Sequence, residues 1–182
     1  MSSETPDLPA VFRVLREMTG QGVIADYAVG GAVAAIFYIE PRETFDLDIF
    51  FVLGKEPSSE LRRLEAIYEF AARNGFEAEA EYIKIHGWAV QFLESVSALW
   101  KEAVAQANEL KFENETARVM RPEHLAALMA ETGRRKDWLR LADFIENDVL
   151  DVILLKKILR AHDLEAKWNK EYWRFGGDEG NG

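Results

Sequence analysis

Two aspartates separated by one residue lie in a strongly apolar stretch of the chain. Residues 45–53 read FDLDIFFVL, and this alternation predicts a β-strand in which Asp46 and Asp48 point to the same face, roughly 7 Å apart. Leu47 and every second residue after it point to the opposite face. Two carboxylates that share one face of an apolar strand need a compensating cation. A divalent metal such as Mg²⁺ or Mn²⁺, bound by oxygen ligands, is the natural partner.

A diglycine precedes this strand. Gly30 and Gly31 follow an apolar run at 23–29 and come before an Ala-rich segment, so they are predicted to join a strand to a helix. Glycine lets the backbone approach a phosphate closely, and the free N–H groups at a helix start favour negative charge. Each feature also has a simpler interpretation. The diglycine can be a tight turn without a ligand, and the two acids can be solvated side chains at a sheet edge. Together, the two features indicate a phosphate site beside a metal site.

The remaining pattern predicts the elements that hold these residues in place. Further strands are expected at 76–85, 88–93 and 112–120. A hairpin turn at His86-Gly87 is expected to join the first two of them. In the other segments apolar residues recur with helical spacing. The helices are expected at 9–18, 32–39, 60–73, 95–107, 122–131, 136–146, 151–161 and 164–173.

The order of these elements predicts the fold class. The strands lie in the first two thirds of the chain, and the last third is all helical. We therefore expect an α/β (α+β) fold in which a mixed β-sheet is flanked by helices and followed by a C-terminal helical bundle. The expected boundaries are an α/β core at 1–121, a helical subdomain at 122–175 and a flexible, Gly-rich tail at 176–182.

Composition excludes several classes of protein. The 182 residues include no cysteine, so the chain has no disulfide framework, thiolate nucleophile or Cys-based zinc site. A formal net charge of -10 repels nucleic acid globally, so any nucleic-acid contact needs a local basic patch. Residues 1–9 lack the basic and apolar regions of a signal peptide, and no run reaches the ~20 apolar residues of a membrane helix. We expect a cytoplasmic protein without membrane contact.

Two segments resemble the signature of the nucleotidyltransferase superfamily. They are YAVGGAVAAI at 27–36 and RETFDLDI at 42–49, and they match a glycine-rich helix start followed by an Asp-x-Asp strand. The lead-in with Arg42 and Thr44 is most similar to the branch that contains AbiEii-type toxins of bacterial toxin–antitoxin and phage-defence systems. A third segment, TGRRKD at 132–137, is similar to the Arg-x-Lys-Asp block in the helical part of that branch.

The resemblance implies a role for each matched residue. Asp46 and Asp48 are expected to bind Mg²⁺ and to act in catalysis. Gly30 and Gly31 are expected to contact the triphosphate of a nucleotide. Thr44 is expected to hydrogen-bond a phosphate or to orient a carboxylate. The residues expected to face the nucleotide from the helical side are Arg134, Lys136 and Asp137.

The chain departs from the superfamily pattern at two positions. Many active members have a third carboxylate on a later strand, whereas Gln91 stands at about that place, and an amide cannot abstract a proton. A lysine often precedes the Arg-x-Lys-Asp block, whereas this chain has Met129 there. Asp137 is a candidate for the missing catalytic carboxylate, and a neighbouring cation such as Lys136 is a candidate for the missing charge.

Three functions are compatible with these residues. The first is an enzyme that transfers a nucleotide from a nucleoside triphosphate (NTP) to a hydroxyl of an RNA end, a protein or a small molecule, as the toxin of a pair with a cognate antitoxin. The second is a catalytically degenerate module that binds a nucleotide or a partner protein. The third is an α/β domain with an unrelated function. The basic cluster Arg134-Arg135-Lys136 is either an RNA contact patch or a solvated helix start.

Overall fold

The computed structural model describes residues 5–40, 44, 46–54 and 64–175, and for 173–175 the backbone alone. Three predicted features lie outside the described residues: the tail at 176–182, the motif residue Arg42 and the helix start at 60–63. None of the helices in the described part of the chain is long and apolar enough to cross a membrane.

The chain divides into two units. The first contains Met1–Ala34 and Arg42–Met120, and the second contains Ala35–Pro41 and Arg121–Gly182. Within the described ranges, the strands all belong to the first unit. They are β1 (Asp26–Val29), β2 (Asp46–Val52), β3 (Glu77–Glu79), β4 (Tyr82–Ile85), β5 (Trp88–Glu94), β6 (Asn108–Phe112) and β7 (Glu115–Val119). Helices α1 (Leu8–Gly20), α3 (Glu65–Arg73) and α4 (Ala98–Ala105) lie in the same unit, and α2 (Gly31–Ala35) begins in it.

The strands form one mixed sheet in the order β3-β4-β5-β2-β1-β7-β6. Strand β2 lies at its centre, parallel to β5 and antiparallel to β1. Strand β7 is parallel to β1, whereas the β3–β4, β4–β5 and β6–β7 pairs are antiparallel. The predicted fold class, a mixed sheet with helices and an all-helical C-terminal part, is confirmed.

The two faces of β2 differ because successive side chains of a strand point to opposite sides. Leu47, Ile49 and Phe51 are fully buried on one side and contribute to the core. On the other side, Phe50 is buried under α4, where its ring meets Trp100 edge to face at a centroid distance of 5.0 Å. The acids at the start of β2 share that second face, so it is apolar at one end and polar at the other.

The second unit is helical. Its helices are α5 (Pro122–Thr132), α6 (Arg135–Glu146), α7 (Val152–Ala161) and α8 (Glu165–Phe175), and α5 contacts the other three. The Asp151 carboxylate caps α7 by accepting hydrogen bonds from the backbone N–H groups of Ile153 and Leu154. The buried Glu123 of α5 accepts a hydrogen bond of 2.8 Å from the Asp151 N–H, which ties the start of α7 to α5.

The predicted elements differ from the structure at three places. The single strand expected at 76–85 is the hairpin β3–β4, and the one expected at 112–120 is the second strand of the hairpin β6–β7. Their turns place Ala80 and Glu113 at φ values of 53° and 51°, a conformation that glycine usually marks in a sequence. The turn at His86-Gly87, which has the glycine, lies where it was predicted.

The helix expected at 32–39 is shorter than predicted. Helix α2 has 5 residues and ends at Ala35. The next residues, Ile36 to Tyr38, are β-branched and aromatic, and such side chains lose rotamer freedom in a helix. Because so few peptide dipoles are aligned in α2, the attraction of this turn for an anion depends on backbone access rather than on a helix field.

Candidate functional site

The turn between β1 and α2 lies directly against Asp48. Gly31 has a φ of 59°, in the left-handed region that glycine adopts without strain. A Cβ atom placed on Gly31 would lie 1.9 Å from Oδ2 of Asp48 and 2.8 Å from its Cγ. Glycine is therefore required at position 31 both for its backbone conformation and for the space that the carboxylate occupies.

Gly30 attaches the same turn to β2 and to the core. Its N–H donates a 2.9 Å hydrogen bond to the backbone carbonyl of Asp48. A Cβ on Gly30 would lie 2.4 Å from the Phe50 ring and 3.5 Å from Sδ of Met120. The diglycine is thus packed between the Asp48 carboxylate on one side and an aromatic ring on the other, which fixes the backbone of the turn beside the acid.

Asp46 has a local partner that orients it. The Thr44 hydroxyl lies 2.9 Å from Oδ1 of Asp46 and donates a hydrogen bond to it. Asp46 is exposed and Asp48 is half-buried. The structure therefore brings five predicted residues of the sheet unit together, through contacts among Gly30, Gly31 and Asp48 and through the Thr44–Asp46 hydrogen bond.

Strand β5 supplies the neighbours of the two acids. Gln91 pairs with Asp48, and Ala89 pairs with Asp46, so these side chains share a face. The structure thus places an amide next to Asp48, in the strand where an acid was noted as missing from the sequence. Ala89 is small, and Lys84 of β4 is the next residue of the row that begins at Asp46.

Tyr82 is a neighbour of the site that sequence reasoning missed. It pairs with Gln91 across the β4–β5 ladder and so lies in the same row of the sheet as Asp48. Desolvation raises the pKa of Tyr82 above its ordinary value of 10.0, and the negative charges of Glu81, Asp46 and Asp48 raise it further. The register of the β4–β5 hairpin could have located it, because the His86-Gly87 turn fixes which residues pair.

The donor set matches one kind of metal site. Mg²⁺ is usually bound by one or two carboxylates together with substrate phosphates and water, rather than by an all-protein cage. Asp46 and Asp48 provide two carboxylates on one face, beside the diglycine turn, in which Gly30 is buried and Gly31 is half-buried. In the residues that the structure describes, no group of three or more His, Asp or Glu side chains could hold an ion. The residues present fit a metal that arrives with a nucleotide.

The segment expected to face the nucleotide lies in the helical unit. Asp137, in the first turn of α6, is 2% exposed and accepts hydrogen bonds from Arg134 Nε at 2.7 Å and from the Thr132 hydroxyl at 2.8 Å. Lys136 is exposed, and Met129 is buried in α5. These contacts join the end of α5 to the start of α6. The catalytic role of Asp137 and the nucleotide contacts of Arg134 and Lys136 stay predictions.

Comparison with solved structures identifies the fold. The crystal structure of an antigenic nucleotidyltransferase-like protein from Paracoccidioides brasiliensis aligns with a TM-score of 0.52 and 15% sequence identity, covering 93% of each chain. The solution structure of the antibiotic-resistance factor ANT(2'')-Ia aligns with a TM-score of 0.45 and 14% identity over 90% of each chain. No protein-family model and no curated protein matches the chain. The first alignment shows that this chain has the fold of a nucleotidyltransferase-like protein.

Proposed function

We propose that this chain binds an NTP together with Mg²⁺ or Mn²⁺ and transfers the nucleotide to a hydroxyl of an acceptor. The observation that carries the proposal is the contact between Asp48 and Gly31, where a Cβ atom would lie 1.9 Å from the carboxylate. The acid that would bind the metal and the glycine turn that would meet the phosphates thereby lie side by side.

Each residue has a part in this reaction. Asp46 and Asp48 hold the divalent cation, with Thr44 fixing the orientation of Asp46. The phosphates would lie at the diglycine turn beside those acids, with Gly31 as the contact, since Gly30 is buried and its N–H donates to Asp48. A divalent cation held by Asp46 and Asp48 would supply positive charge against the phosphates.

The chemical step is a substitution at phosphorus. The acceptor oxygen forms a bond to the α-phosphorus, and the bond from that phosphorus to the bridging oxygen breaks. Pyrophosphate leaves with the electron pair, and the hydroxyl proton passes to water, since the Gln91 amide cannot accept it. Positioning and charge neutralisation are then the main contributions of the protein.

A closer relationship to AbiEii-type toxins belongs to the same proposal. It is supported by Thr44 next to Asp46, and by the segment at 132–137, in which Arg134 and Asp137 form a short ion pair. On this view the protein is a cytoplasmic toxin with a cognate antitoxin, and its acceptor is an RNA end, a protein or a small molecule. Arg134 and the exposed Lys136 are the cations that would approach the nucleotide.

The second candidate is a binding module that has lost catalysis. It is favoured by Gln91, which pairs with Asp48 across β2–β5 and provides an amide in place of an acid. A site of this kind binds a nucleotide or a protein partner, and it performs no transfer because nothing activates the acceptor hydroxyl.

Thermal unfolding with Mg²⁺ and each of the four common NTPs tests the proposal. A ligand that binds the folded state alone stabilises it by about 2.7 kcal/mol at a concentration 100 times its Kd. We expect one or more NTPs to raise the Tm of the parent chain in the presence of Mg²⁺, and not after Mg²⁺ is chelated. The variants Asp46→Asn and Asp48→Asn should lose this response.

The matched control is Asp163→Asn, at an exposed turn residue with a φ of 56° that asparagine also tolerates. It should keep the response of the parent chain. A parent chain whose Tm is unchanged by every NTP and metal contradicts nucleotide binding. Incubation with α-phosphate-labelled NTPs then separates the two candidates, because only the enzyme moves label onto an acceptor.

A further inference from the structure

Two neutral polar side chains extend the site across the sheet. Tyr82, Gln91 and Asp48 are consecutive members of one cross-strand row, through the β4–β5 and β2–β5 pairings. Side chains paired directly across strands share a face, and neighbouring strands lie about 5 Å apart. The amide is therefore one strand from the Asp48 carboxylate, and the phenol is two strands away on the same side.

Both groups can meet a ligand from solvent. Tyr82 and Gln91 are each half-exposed. The Tyr82 phenol carries its proton at neutral pH, as tyrosine ordinarily does, so it can donate a hydrogen bond. The Gln91 amide both donates and accepts. Two such groups on adjacent strands match a molecule that carries several hydroxyls a few ångströms apart.

The charges around this row select against anions. Glu81 acts on the Tyr82 phenol with negative charge, and Glu79 pairs directly with Tyr82 across the β3–β4 ladder. The one lysine of β4, Lys84, pairs across the β3–β4 ladder with Glu77, which offsets its charge. Net negative charge along β4 would repel a polyanion, whereas it would not repel an uncharged molecule.

We propose that Tyr82 and Gln91 bind the acceptor of nucleotide transfer, and that this acceptor is an uncharged polyol of sugar size. This inference rests on the proposed transfer reaction and narrows its acceptor. One hydroxyl of the polyol attacks the α-phosphorus at Asp46 and Asp48, pyrophosphate leaves with the bonding electrons, and the proton passes to water. The neighbouring hydroxyls bind the Gln91 amide and the Tyr82 phenol.

The test is a transfer assay on the full chain. Each NTP, labelled at the α-phosphate, is incubated with Mg²⁺ and one probe at a time: glucose, ribose, inositol or glycerol as uncharged acceptors, and total tRNA or casein as macromolecular ones. We expect label on at least one uncharged probe. Tyr82→Phe and Gln91→Ala should each raise the KM for that probe about tenfold, the loss of one hydrogen bond, and leave the KM for the NTP unchanged.

Tyr172→Phe on α8 and Gln106→Ala at the end of α4 remove the same groups from places outside the row, and should behave like the parent. The inference is overturned if label appears on tRNA or casein but on none of the uncharged probes. It is also overturned if Tyr82→Phe and Gln91→Ala both leave the KM for the acceptor unchanged. Absence of transfer to every probe also overturns it. In that case a Tm that still rises with Mg²⁺ and an NTP leaves nucleotide binding standing, whereas an unchanged Tm removes the proposed function as well.

Discussion

Asp48 and Gly31 are in contact across the turn from β1 to α2, so closely that a Cβ on the glycine would lie 1.9 Å from the carboxylate oxygen. Atoms of real side chains do not approach to this distance. The position of the acid therefore depends on the absence of a side chain at residue 31.

Gly31→Ala is expected to disable the site. The new methyl group must displace the Asp48 carboxylate, and alanine must also adopt a φ of 59°. We expect a loss of stability of about 1–3 kcal/mol. The increase in Tm with Mg²⁺ and NTP should also disappear. Urea unfolding and thermal unfolding with and without ligand measure the two effects.

Gly75→Ala separates the effect of backbone strain from the effect of displacing the Asp48 carboxylate. Gly75 has a φ of 75°, and a Cβ there would meet nothing within 4 Å. This variant should lose stability through backbone strain alone and keep the full response to ligand. Equal ligand responses in the two alanine variants would show that the Asp48–Gly31 contact has no part in binding.

Thr44→Val is expected to weaken metal binding with little change in stability. Valine has the size of threonine and removes the hydroxyl that donates to Asp46 at 2.9 Å. Loss of a hydrogen bond that orients a metal ligand reduces metal affinity by about tenfold or more. The Mg²⁺ concentration that gives half of the Tm increase at saturating NTP should therefore rise by that factor. Thr116→Val, at an exposed position of β7, is the control and should titrate like the parent.

Asp137→Asn is expected to destabilise the helical unit. Its carboxylate is buried and accepts from Arg134 and Thr132, and hydrogen bonds to a charged group contribute about 1.5–3 kcal/mol. We expect the free energy of unfolding, measured by urea denaturation, to fall by an amount in this range and the midpoint to fall with it, with Asp163→Asn as the reference. An unchanged midpoint combined with loss of transfer would instead support the catalytic role predicted from the sequence.

Glu115 of β7 forms salt bridges with Arg13 and Arg16 of α1, and these are expected to make the stability of the fold depend on pH. Hydrogen bonds from Arg16 and Arg13 lower the pKa of Glu115 below its ordinary value of 4.5. A carboxyl with a lowered pKa adds stability above its unfolded pKa, and that stability is lost as the pH falls through the folded value. The Tm difference between the parent chain and Glu115→Gln should thus be present at pH 7 and be lost at an acidic pH below the folded pKa of Glu115, which lies below 4.5. A difference that is the same at both pH values contradicts this account.

Local patterns predicted the central part of the fold. The alternation in 45–53 placed Asp46 and Asp48 on one face of a strand, and the structure has that strand as β2. The diglycine marked the turn before α2. Each of these features depends on a few consecutive residues, and the chemistry of a strand or a glycine turn acts over that range.

Other features could not be read from local patterns. The hairpin turns at Ala80 and Glu113 lack glycine, so β3 and β4 merged into one predicted strand and most of β6 was not predicted. Their left-handed backbone is stabilised by the ladders on both sides, as in the pairing of Phe112 with Glu115. Tertiary pairing overrode the local preference of those residues.

The sequence by itself determined which acids share a face of a strand, and so which residues are proposed to bind a metal and a phosphate, because residue type and alternation act over a few consecutive positions. Only the tertiary structure decided that the Asp48 carboxylate lies against Gly31, and that Gln91 and Tyr82 continue the row from Asp48. Register between strands is set by pairing and packing of residues far apart in the chain, and a shift of one residue would turn these side chains to the other face.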